Sequence, residues 1–250
     1  MRENGVKKLA DFDADYLCGR SYVVGIDEAG RGALAGPVAA AAAAISSKAY
    51  SSPKILDFLS CLDDSKKLSA QVRESLWLKF CELKNLEYMD FEAAYASVEE
   101  IESQNILNAT RLAMSRAAQM LNARLGLGLR PAGSPATLFG EQVLDTSRAV
   151  VIIDGRPVKK FPFAHVAVVK GDSSSLAVAA ASVVAKVSRD RLMVELASKY
   201  PRFGFEIHKG YGTAAHLQAL MLYGPSAVHR PSFLKNIRAD SLSDPQGELF

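Results

Sequence analysis

The run Val150-Val151-Ile152-Ile153 is entirely apolar, so as a strand it would be apolar on both faces. A strand that is apolar on both faces must be covered on both faces, as in the parallel sheets of α/β proteins. Residues 21–26 form a second short, β-branched run, and residues 166–169 form a third. These runs predict buried strands, one of them covered on both sides.

Strand and helix patterns alternate along the rest of the chain. Residues 38–45 follow a Gly-Pro turn, which favours a strand antiparallel to the first, although their alanines would equally suit a helix. The other candidates are a strand at 86–96, helices at 65–83 (with Ser69 as N-cap), 98–125, 174–199 and 214–222, a loop or insertion at 126–140, and irregular chain beyond 225. This order predicts an α/β fold with a mixed sheet flanked by helices and a C-terminal helical extension.

The composition limits the class of protein. The 250-residue chain is 49% apolar and 23% charged, a balance typical of soluble folded domains. Its longest apolar run, residues 33–45, is too short to cross a bilayer, and residues 1–17 lack the apolar stretch of a secretory signal, so we expect a cytoplasmic protein. The widely spaced cysteines predict reduced packing thiols rather than disulfides or a zinc site; they are Cys18, Cys61 and Cys81.

Positive charge is concentrated in the second half of the chain. Residues 148–238 contain 14 Lys and Arg but only five Asp and Glu, while the whole chain has a net charge of +3. Such a basic segment suits a polyanionic partner, because phosphates are bound chiefly by Lys and Arg. A merely solvated basic surface is the alternative.

Carboxylates follow three of the apolar runs. Asp27 and Glu28 end the first, Asp154 ends the run at 150–153, and Asp172 comes shortly after 166–169. One such residue could simply be a turn or helix-cap aspartate. Several together at strand ends would repel one another unless a cation neutralised them, and oxygen ligands select Mg²⁺ or Mn²⁺. Together with the basic segment, they indicate a metal-dependent nuclease.

Several segments then stand out as motifs. They are 25–32 (GIDEAGRG), 34–38 (LAGPV), 64–69 (DSKKLS), 153–155 (IDG), 170–173 (KGDS), 179–190 (AAASVVAKVSRD) and 208–213 (HKGYGT) with His216. In this order, over about residues 23–233, they resemble the motifs of the ribonuclease HII family.

The resemblance implies a ribonuclease H-like fold and hydrolysis of the RNA strand of RNA–DNA hybrids. It also implies cutting on the 5′ side of ribonucleotides embedded in duplex DNA, leaving 3′-hydroxyl and 5′-phosphate ends. We expect the catalytic domain to span residues 21–237, between an N-terminal extension (1–20) and a flexible tail (238–250). We also expect a monomer.

The resemblance assigns roles to individual residues. Four match the family's metal-binding carboxylates, with Mg²⁺ or Mn²⁺ as cofactor: Asp27, Glu28, Asp154 and Asp172. The segment Gly30-Arg31-Gly32 matches the one that reads the 2′-hydroxyl of the ribonucleotide, which backbone groups can do because that hydroxyl both donates and accepts. Tyr211 matches a tyrosine that packs on the neighbouring deoxyribose, and Lys66 matches a lysine near the scissile phosphate.

Two other functions compete with this one. A nuclease of the same fold acting on another nucleic acid would not need Gly30-Arg31-Gly32 together with Tyr211. A non-catalytic binding module would not need metal-dependent cleavage. Residues 126–140 are longer than the family needs and Arg156-Pro157 follows Asp154-Gly155, so loop contacts do not carry over. The related ribonuclease HIII class usually has an extra N-terminal domain, and only about 20 residues precede the first strand here, which favours HII.

The C-terminal residues form a separate motif. Gln246-Gly247-Glu248-Leu249-Phe250 resembles the Gln-x-x-Leu-Phe peptide with which bacterial replication and repair proteins bind the sliding clamp. It follows a Ser, Asp and Pro-containing stretch, where a Leu-Phe pair has no evident core to join. The resemblance therefore predicts clamp binding through Gln246, Leu249 and Phe250, with a simple disordered tail as the alternative.

Overall fold

The computed structural model describes residues 3–60, 62, 68–133, 137–138, 141–142 and 147–235. Its strands are β1 Tyr22–Ala29, β2 Val38–Ser46, β3 Met89–Ala96, β4 Thr137–Leu138, β5 Glu141–Gln142, β6 Ala149–Asp154 and β7 Val166–Val168. Five of them form a mixed sheet in the order β3-β2-β1-β6-β7. The pairs β1–β2 and β2–β3 are antiparallel, while β1–β6 and β6–β7 are parallel. The predicted α/β fold with a mixed sheet is confirmed.

Helices cover both faces of this sheet. They are α1 Glu3–Leu17, α2 Ser47–Tyr50, α3 Pro53–Phe58, α4 Ala70–Asn85, α5 Val98–Gln104, α6 Ile106–Leu125, α7 Leu176–Lys199, α8 Phe205–His208, α9 Ala214–Tyr223 and α10 Pro231–Leu234. Helix α7 packs across β1 and β2 on one face, with α1 and α4 beside it, and α6 packs on the other face. Helices α8 and α9 surround a smaller apolar cluster with the C-terminal part of α7.

Strand β2 explains how two long helices approach the sheet so closely. All nine of its residues are buried. Ala41 and Ala43 face the α7 side, whereas Ala40 and Ala42 face the α6 side. Small side chains at alternating positions let both helices pack near the strand, which is why this alanine run is a strand despite its helical propensity.

The close approach continues at Gly25 in β1. A Cβ at this position would lie 2.1 Å from the carbonyl carbon of Ala177, at the start of α7. No side chain fits in that gap, so β1 and α7 are in direct backbone contact. This contact fixes the position of α7 relative to the carboxylates that follow Gly25.

One predicted helix is two helices in the structure. The pattern over residues 98–125 is broken at Asn105, which has a φ of 71° and whose side chain accepts a hydrogen bond from the Asn108 amide at 3.1 Å. Helix α5 begins with a capping box between Ser97 and Glu100. Both helices turn apolar residues to the same core, so periodicity alone did not reveal the break.

The N-terminal segment contributes to the core. Val6, Leu9 and Ala10 of α1 are buried in the same apolar cluster as α7. Their burial ties residues that precede the sheet to the helix that runs beside the carboxylate-bearing strands.

The cysteines of the described residues are free thiols. Cys81 is half-buried, but Cys18 is exposed, so the predicted packing role is wrong for Cys18, which lies in the turn after α1. Cys61 lies outside the described residues. Among the helices of the described residues, none combines the length and the apolar character that crossing a membrane requires.

Candidate active site

Three carboxylates lie near the carboxyl ends of two neighbouring inner strands of the sheet. Strands β1 and β6 are parallel neighbours, and their register pairs Ile26 with Ile153. Asp27 follows the first of these residues and Asp154 follows the second, so the two lie on neighbouring strands, with Glu28 next to Asp27 in the chain. They line one cleft of about 420 Å³. The structure thus brings these residues together, as their positions after apolar runs predict.

Asp27 lies deepest in this cleft, with 6% of its surface exposed. Burial, together with the nearby charges of Glu28 and Asp154, raises the pKa of Asp27 to about 8. The Glu28 amide donates to Asp27 Oδ1 at 2.7 Å, and a hydrogen bond with Ser182 also favours the ionised form. These bonds do not offset the burial, so ionised Asp27 requires a neutralising charge.

Asp154 and Asp172 are connected through one turn. The Gly171 amide donates to Asp154 Oδ1 at 2.6 Å, and Asp172 follows on a 3₁₀ turn over Gly171–Ser173. Asp172 is fully buried, and the residues that line the cleft do not include it. The structure therefore brings three of the four predicted carboxylates to the cleft surface and buries Asp172, next in the chain to the glycine whose amide binds Asp154.

The donor chemistry of the cleft fits a divalent cation. Carboxylate oxygens are the ligands that Mg²⁺ and Mn²⁺ prefer, and the repulsion around Asp27 is the cost that a cation removes. The side chain of Glu28 accepts a hydrogen bond from Arg31 Nη1 at 2.9 Å. Within the described ranges, no three Asp, Glu, His or Cys side chains are already grouped as metal ligands. The residues fit a cation by type and charge.

A glycine-containing loop and a tyrosine form the wall beside the carboxylates. Gly30, Arg31, Gly32 and Tyr211 all line the same cleft as Asp27. Gly30 has a φ of 86°, and a Cβ there would lie 1.8 Å from Nε of Arg189, so no other residue fits. The predicted substrate-contacting residues of the described chain therefore adjoin the carboxylates.

Sequence reasoning assigned no role to three further residues that line this cleft. Ser182 and Lys186 are one helical turn apart on α7, and both lie in the motif at 179–190, so a signal for them was present. Arg73 comes from α4 and carries no comparable signal. Lys186 Nζ lies 5.5 Å from the ring centre of Tyr211 and donates to Asp190 at 2.7 Å.

A second cleft adjoins the first at the carboxylates. It shares Glu28, Arg31 and Asp154 with the first cleft and has a volume of about 750 Å³. Its far side carries basic and polar side chains from α6 and the loop after β6: Asn108, Arg111, Arg156 and Lys159. The carboxylates therefore lie between two connected clefts.

Three buried histidines lie behind Tyr211. The Ser226 amide donates to His229 Nδ1 at 2.9 Å, so His229 Nε2 carries the proton that it shares with His216 Nε2 at 3.0 Å. His216 Nδ1 then donates to the Tyr211 carbonyl at 2.9 Å. His208 stacks on His216 with ring centres 4.3 Å apart. Burial lowers the pKa of His216 and of His229 to about 4, so both rings are neutral and the chain of bonds is intact at neutral pH.

Some predicted site residues lie outside the described residues. They are Lys66, Gln246, Leu249 and Phe250.

Comparisons with known proteins give the family. Residues 24–236 match the family model described as Ribonuclease HII. A ribonuclease HII from Caldicellulosiruptor bescii is 39% identical over 219 residues, which cover 88% of this chain and 89% of that protein.

Solved structures agree with the fold. Ribonuclease HII from Archaeoglobus fulgidus, solved in a complex with PCNA, superposes with a TM-score of 0.57 at 24% identity over 88% of this chain and 99% of that one. Bst-RNase HIII, solved in complex with Mn²⁺, gives a TM-score of 0.54 at 17% identity over 84% of this chain and 65% of that one. The match of the family model over most of the chain shows that it belongs to the ribonuclease HII family and is a metal-dependent type 2 ribonuclease H, an endonuclease of RNA strands.

Proposed function

We propose that this enzyme cuts RNA–DNA hybrids and also cuts on the 5′ side of single ribonucleotides in duplex DNA, leaving 3′-hydroxyl and 5′-phosphate ends. The observation that supports this substrate is the lining of one cleft. It places three carboxylates (Asp27, Glu28, Asp154) next to Gly30-Arg31-Gly32 and Tyr211. A nuclease that ignored the sugar would need the carboxylates alone.

The carboxylates would hold the divalent cations. Asp27, Glu28 and Asp154 do so from the cleft surface, and we propose that Asp172 joins them from its buried turn next to Gly171. When bound, such cations lower the pKa of a water and stabilise the leaving oxygen of a phosphoryl displacement. Mg²⁺ and Mn²⁺ both suit these oxygen ligands. The chain itself orients the acids, through Gly171 on Asp154 and Ser182 on Asp27.

The glycine-containing loop would recognise the ribose. At Gly30 and Gly32 no side chain separates the backbone from a sugar in the cleft, so backbone groups can hydrogen-bond the 2′-hydroxyl. Tyr211 lines the same cleft, where a deoxyribose would pack on its ring. Together they would recognise a step from a ribonucleotide to a deoxyribonucleotide. Lys66, in the motif at 64–69, would contact the phosphate.

The second cleft would hold the strand on the other side of the cut. Tyr211 lines only the first cleft, whereas Arg111, Arg156 and Lys159 line only the second, and two of the carboxylates line both. The three cationic side chains suit consecutive phosphates. The nucleic acid would then cross the carboxylates, with its 3′ part near Tyr211 and its 5′ part between α6 and the loop after β6.

The test is cleavage of a DNA duplex that contains one ribonucleotide, with the cut mapped at nucleotide resolution. We expect a cut on the 5′ side of the ribonucleotide in Mg²⁺, and no cut in an all-DNA duplex or with Asp154→Asn. A 2′,3′-cyclic phosphate product would contradict the proposal, because it would make the 2′-hydroxyl rather than water the nucleophile.

Tyr211→Ala separates substrate recognition from the chemical step. We expect weaker cleavage at the single ribonucleotide by an amount equivalent to about 1–3 kcal/mol, with a smaller loss on an all-RNA strand paired with DNA. Equal losses on both substrates would assign Tyr211 a packing role only.

We also propose that the C-terminal peptide binds a bacterial sliding clamp through Gln246, Leu249 and Phe250. The homologue solved in a complex with PCNA supports a partner of this kind. Deleting residues 246–250 should abolish binding to the purified clamp, with an affinity near micromolar before deletion, and leave cleavage of a short duplex unchanged. Equal binding of the full-length and shortened chains, or no binding by either, would contradict the proposal.

A further inference from the structure

We infer that Arg189 and Arg230 are positioning residues that hold the glycine-containing loop, residues 30–37, in the shape that recognises a ribose. This inference rests on the proposed function, since it concerns how the loop distinguishes a ribonucleotide from a deoxyribonucleotide. Neither arginine lines the cleft, so each would act through the loop.

Both guanidinium groups are buried without a carboxylate. Arg189 and Arg230 have no exposed surface, and they are among the largest fully buried side chains of the described chain. A buried charge is normally paired with an opposite charge. Within the described residues, neither arginine forms an ion pair with Asp or Glu. The groups that contact them directly are backbone carbonyls, while Asp190 and Glu102 attract Arg189 and Arg230 respectively only through space.

These carbonyls belong mostly to the loop itself. Arg230 donates from Nη2 to the Gly30 carbonyl at 2.8 Å, from Nη1 to the Arg31 carbonyl at 3.0 Å and from Nε to the Gly36 carbonyl at 2.9 Å. One side chain thus joins both ends of the loop.

Arg189 completes the set from the other side. Its Nη2 donates to the Ala35 carbonyl at 3.0 Å and its Nε to the Pro37 carbonyl at 3.0 Å. Its Nη1 donates to the Lys209 carbonyl at 2.9 Å, and its guanidinium lies 5.4 Å from the ring centre of Tyr211. Arg189 therefore sets the distance between the loop and the tyrosine.

This arrangement decides which backbone groups can meet a substrate. Five carbonyls of the loop point to the buried guanidinium groups, among them those of Gly30 and Arg31. The amide N–H of a residue and the carbonyl of the preceding one belong to the same peptide plane and point in opposite directions. The loop should then present amide donors of Arg31 and Gly32 to the cleft, over two buried positive charges. Donors of this kind suit the lone pairs of a 2′-hydroxyl.

Lysine cannot replace arginine here. A guanidinium offers five N–H donors in a planar fork, whereas an ammonium offers three donors from one point. An ammonium at position 230 could not reach three carbonyls at both ends of the loop. Arg230→Lys therefore keeps the positive charge but removes the planar fork of N–H donors.

The experiment measures binding in the Asp154→Asn background, in which Asn Oδ1 can still accept from the Gly171 amide and the substrate stays uncut. Two fluorescently labelled duplexes that differ only in one 2′-hydroxyl are titrated in Mg²⁺. The ratio of their dissociation constants measures recognition of the ribose. Arg230→Lys and Arg189→Lys are each compared with Arg116→Lys, whose arginine pairs bidentately with Glu100 away from the cleft.

We expect each loop-holding variant to lower this ratio at least about fivefold, equivalent to ~0.9 kcal/mol, with unchanged affinity for the all-DNA duplex. The Arg116→Lys control should keep the ratio. An unchanged ratio in either folded variant would overturn the inference. So would loss of the fold in both variants with a folded control, because the pair would then serve the fold in general.

Failure of the proposed function gives a different result. If the Asp154→Asn parent already binds both duplexes equally, the enzyme does not recognise the 2′-hydroxyl and the proposed function fails. If the parent prefers the ribonucleotide duplex and the arginine variants keep that preference, only the positioning role fails.

Discussion

Asp27 is the residue whose ionisation most depends on what binds beside it. Its pKa is raised to about 8 by burial and by the charges of Glu28 and Asp154. In metal-free protein at pH 8, Asp27→Asn removes this unfavourable charge and keeps an acceptor for the Glu28 amide. We expect the free energy of unfolding to rise by at least ~1 kcal/mol, measured by urea denaturation in EDTA.

The same variant should lose the response to metal. Mg²⁺ should stabilise the wild-type enzyme but not Asp27→Asn, because a ligand of the folded state stabilises it by mass action. Activity should fall by more than the roughly 10–100-fold typical of residues that only support a metal ligand. Asp57→Asn, at an exposed position on α3, is the control. If Mg²⁺ stabilised the wild-type enzyme and Asp27→Asn equally, Asp27 would not be a metal ligand.

The buried histidines predict a loss of stability in acid. The pKa of His216 and of His229 is lowered by burial from 6.5 to about 4, so the unfolded chain binds more protons between these two pH values. Their contribution to stability is complete above pH 6.5 and is lost as the pH falls toward 4. Asp13 and Asp27, with raised pKa values, act in the opposite direction.

His216→Asn isolates this contribution. Between pH 7 and pH 5 we expect the wild-type enzyme to lose on the order of 1 kcal/mol more unfolding free energy than the variant, measured by urea denaturation at each pH. Parallel pH profiles would show that protonation of His216 does not oppose folding.

At the scale of elements, one carboxylate links the first helix to the seventh. Asp13 of α1 accepts hydrogen bonds from the Ala177 amide at 2.9 Å and from the Tyr50 hydroxyl at 2.8 Å. The Ala177 amide lies in the first turn of α7, where donors lack partners within the helix. Asp13→Ala should therefore lower the free energy of unfolding by about 1–3 kcal/mol.

Asp15→Ala, at an exposed position on the same helix, should change stability little in thermal or urea unfolding. If Asp13→Ala is equally harmless, the apolar contacts of α1 alone hold it in place.

Elements also show what the sequence could predict. Asp27 lies near the carboxyl end of β1, Asp154 ends β6, and the two strands are parallel neighbours, so the two residues converge. The local pattern predicts that each carboxylate follows an apolar run, whereas the pairing of the two strands is seen only in the structure. The buried position of Asp172 depends on how its turn packs against β6, and no periodicity encodes that packing. Arg189 and Arg230 escaped prediction for a similar reason, since an arginine in the sequence indicates a surface position unless the surrounding carbonyls are known.

At the scale of the whole molecule, the two connected clefts predict how binding depends on substrate length. If the 5′ part of the cut strand lies in the second cleft, shortening that arm should weaken wild-type cleavage. In the double variant Arg156→Ala/Lys159→Ala, the same shortening should have a smaller effect. The slope of log affinity against log salt should also fall by roughly 1–2, because two phosphate contacts are lost.

Lys48→Ala/Lys54→Ala is a matched control, since neither lysine lines either cleft. It removes the same charge and should keep the wild-type dependence on arm length. An equal dependence on arm length in all three proteins would place the 5′ strand elsewhere.

The parallel pairing of β1 with β6 has a consequence for synthesis of the chain. Tyr22 pairs with Ala149, so the edge of β1 that pairs with β6 stays uncovered until more than half of the polypeptide has been synthesised. A nascent chain therefore carries an open, strongly apolar edge, and long-range pairing of this kind closes slowly. Strand β6, with Asp154, and helix α7 are synthesised later still, so a chain whose synthesis stops midway lacks them and exposes an apolar strand edge that favours aggregation.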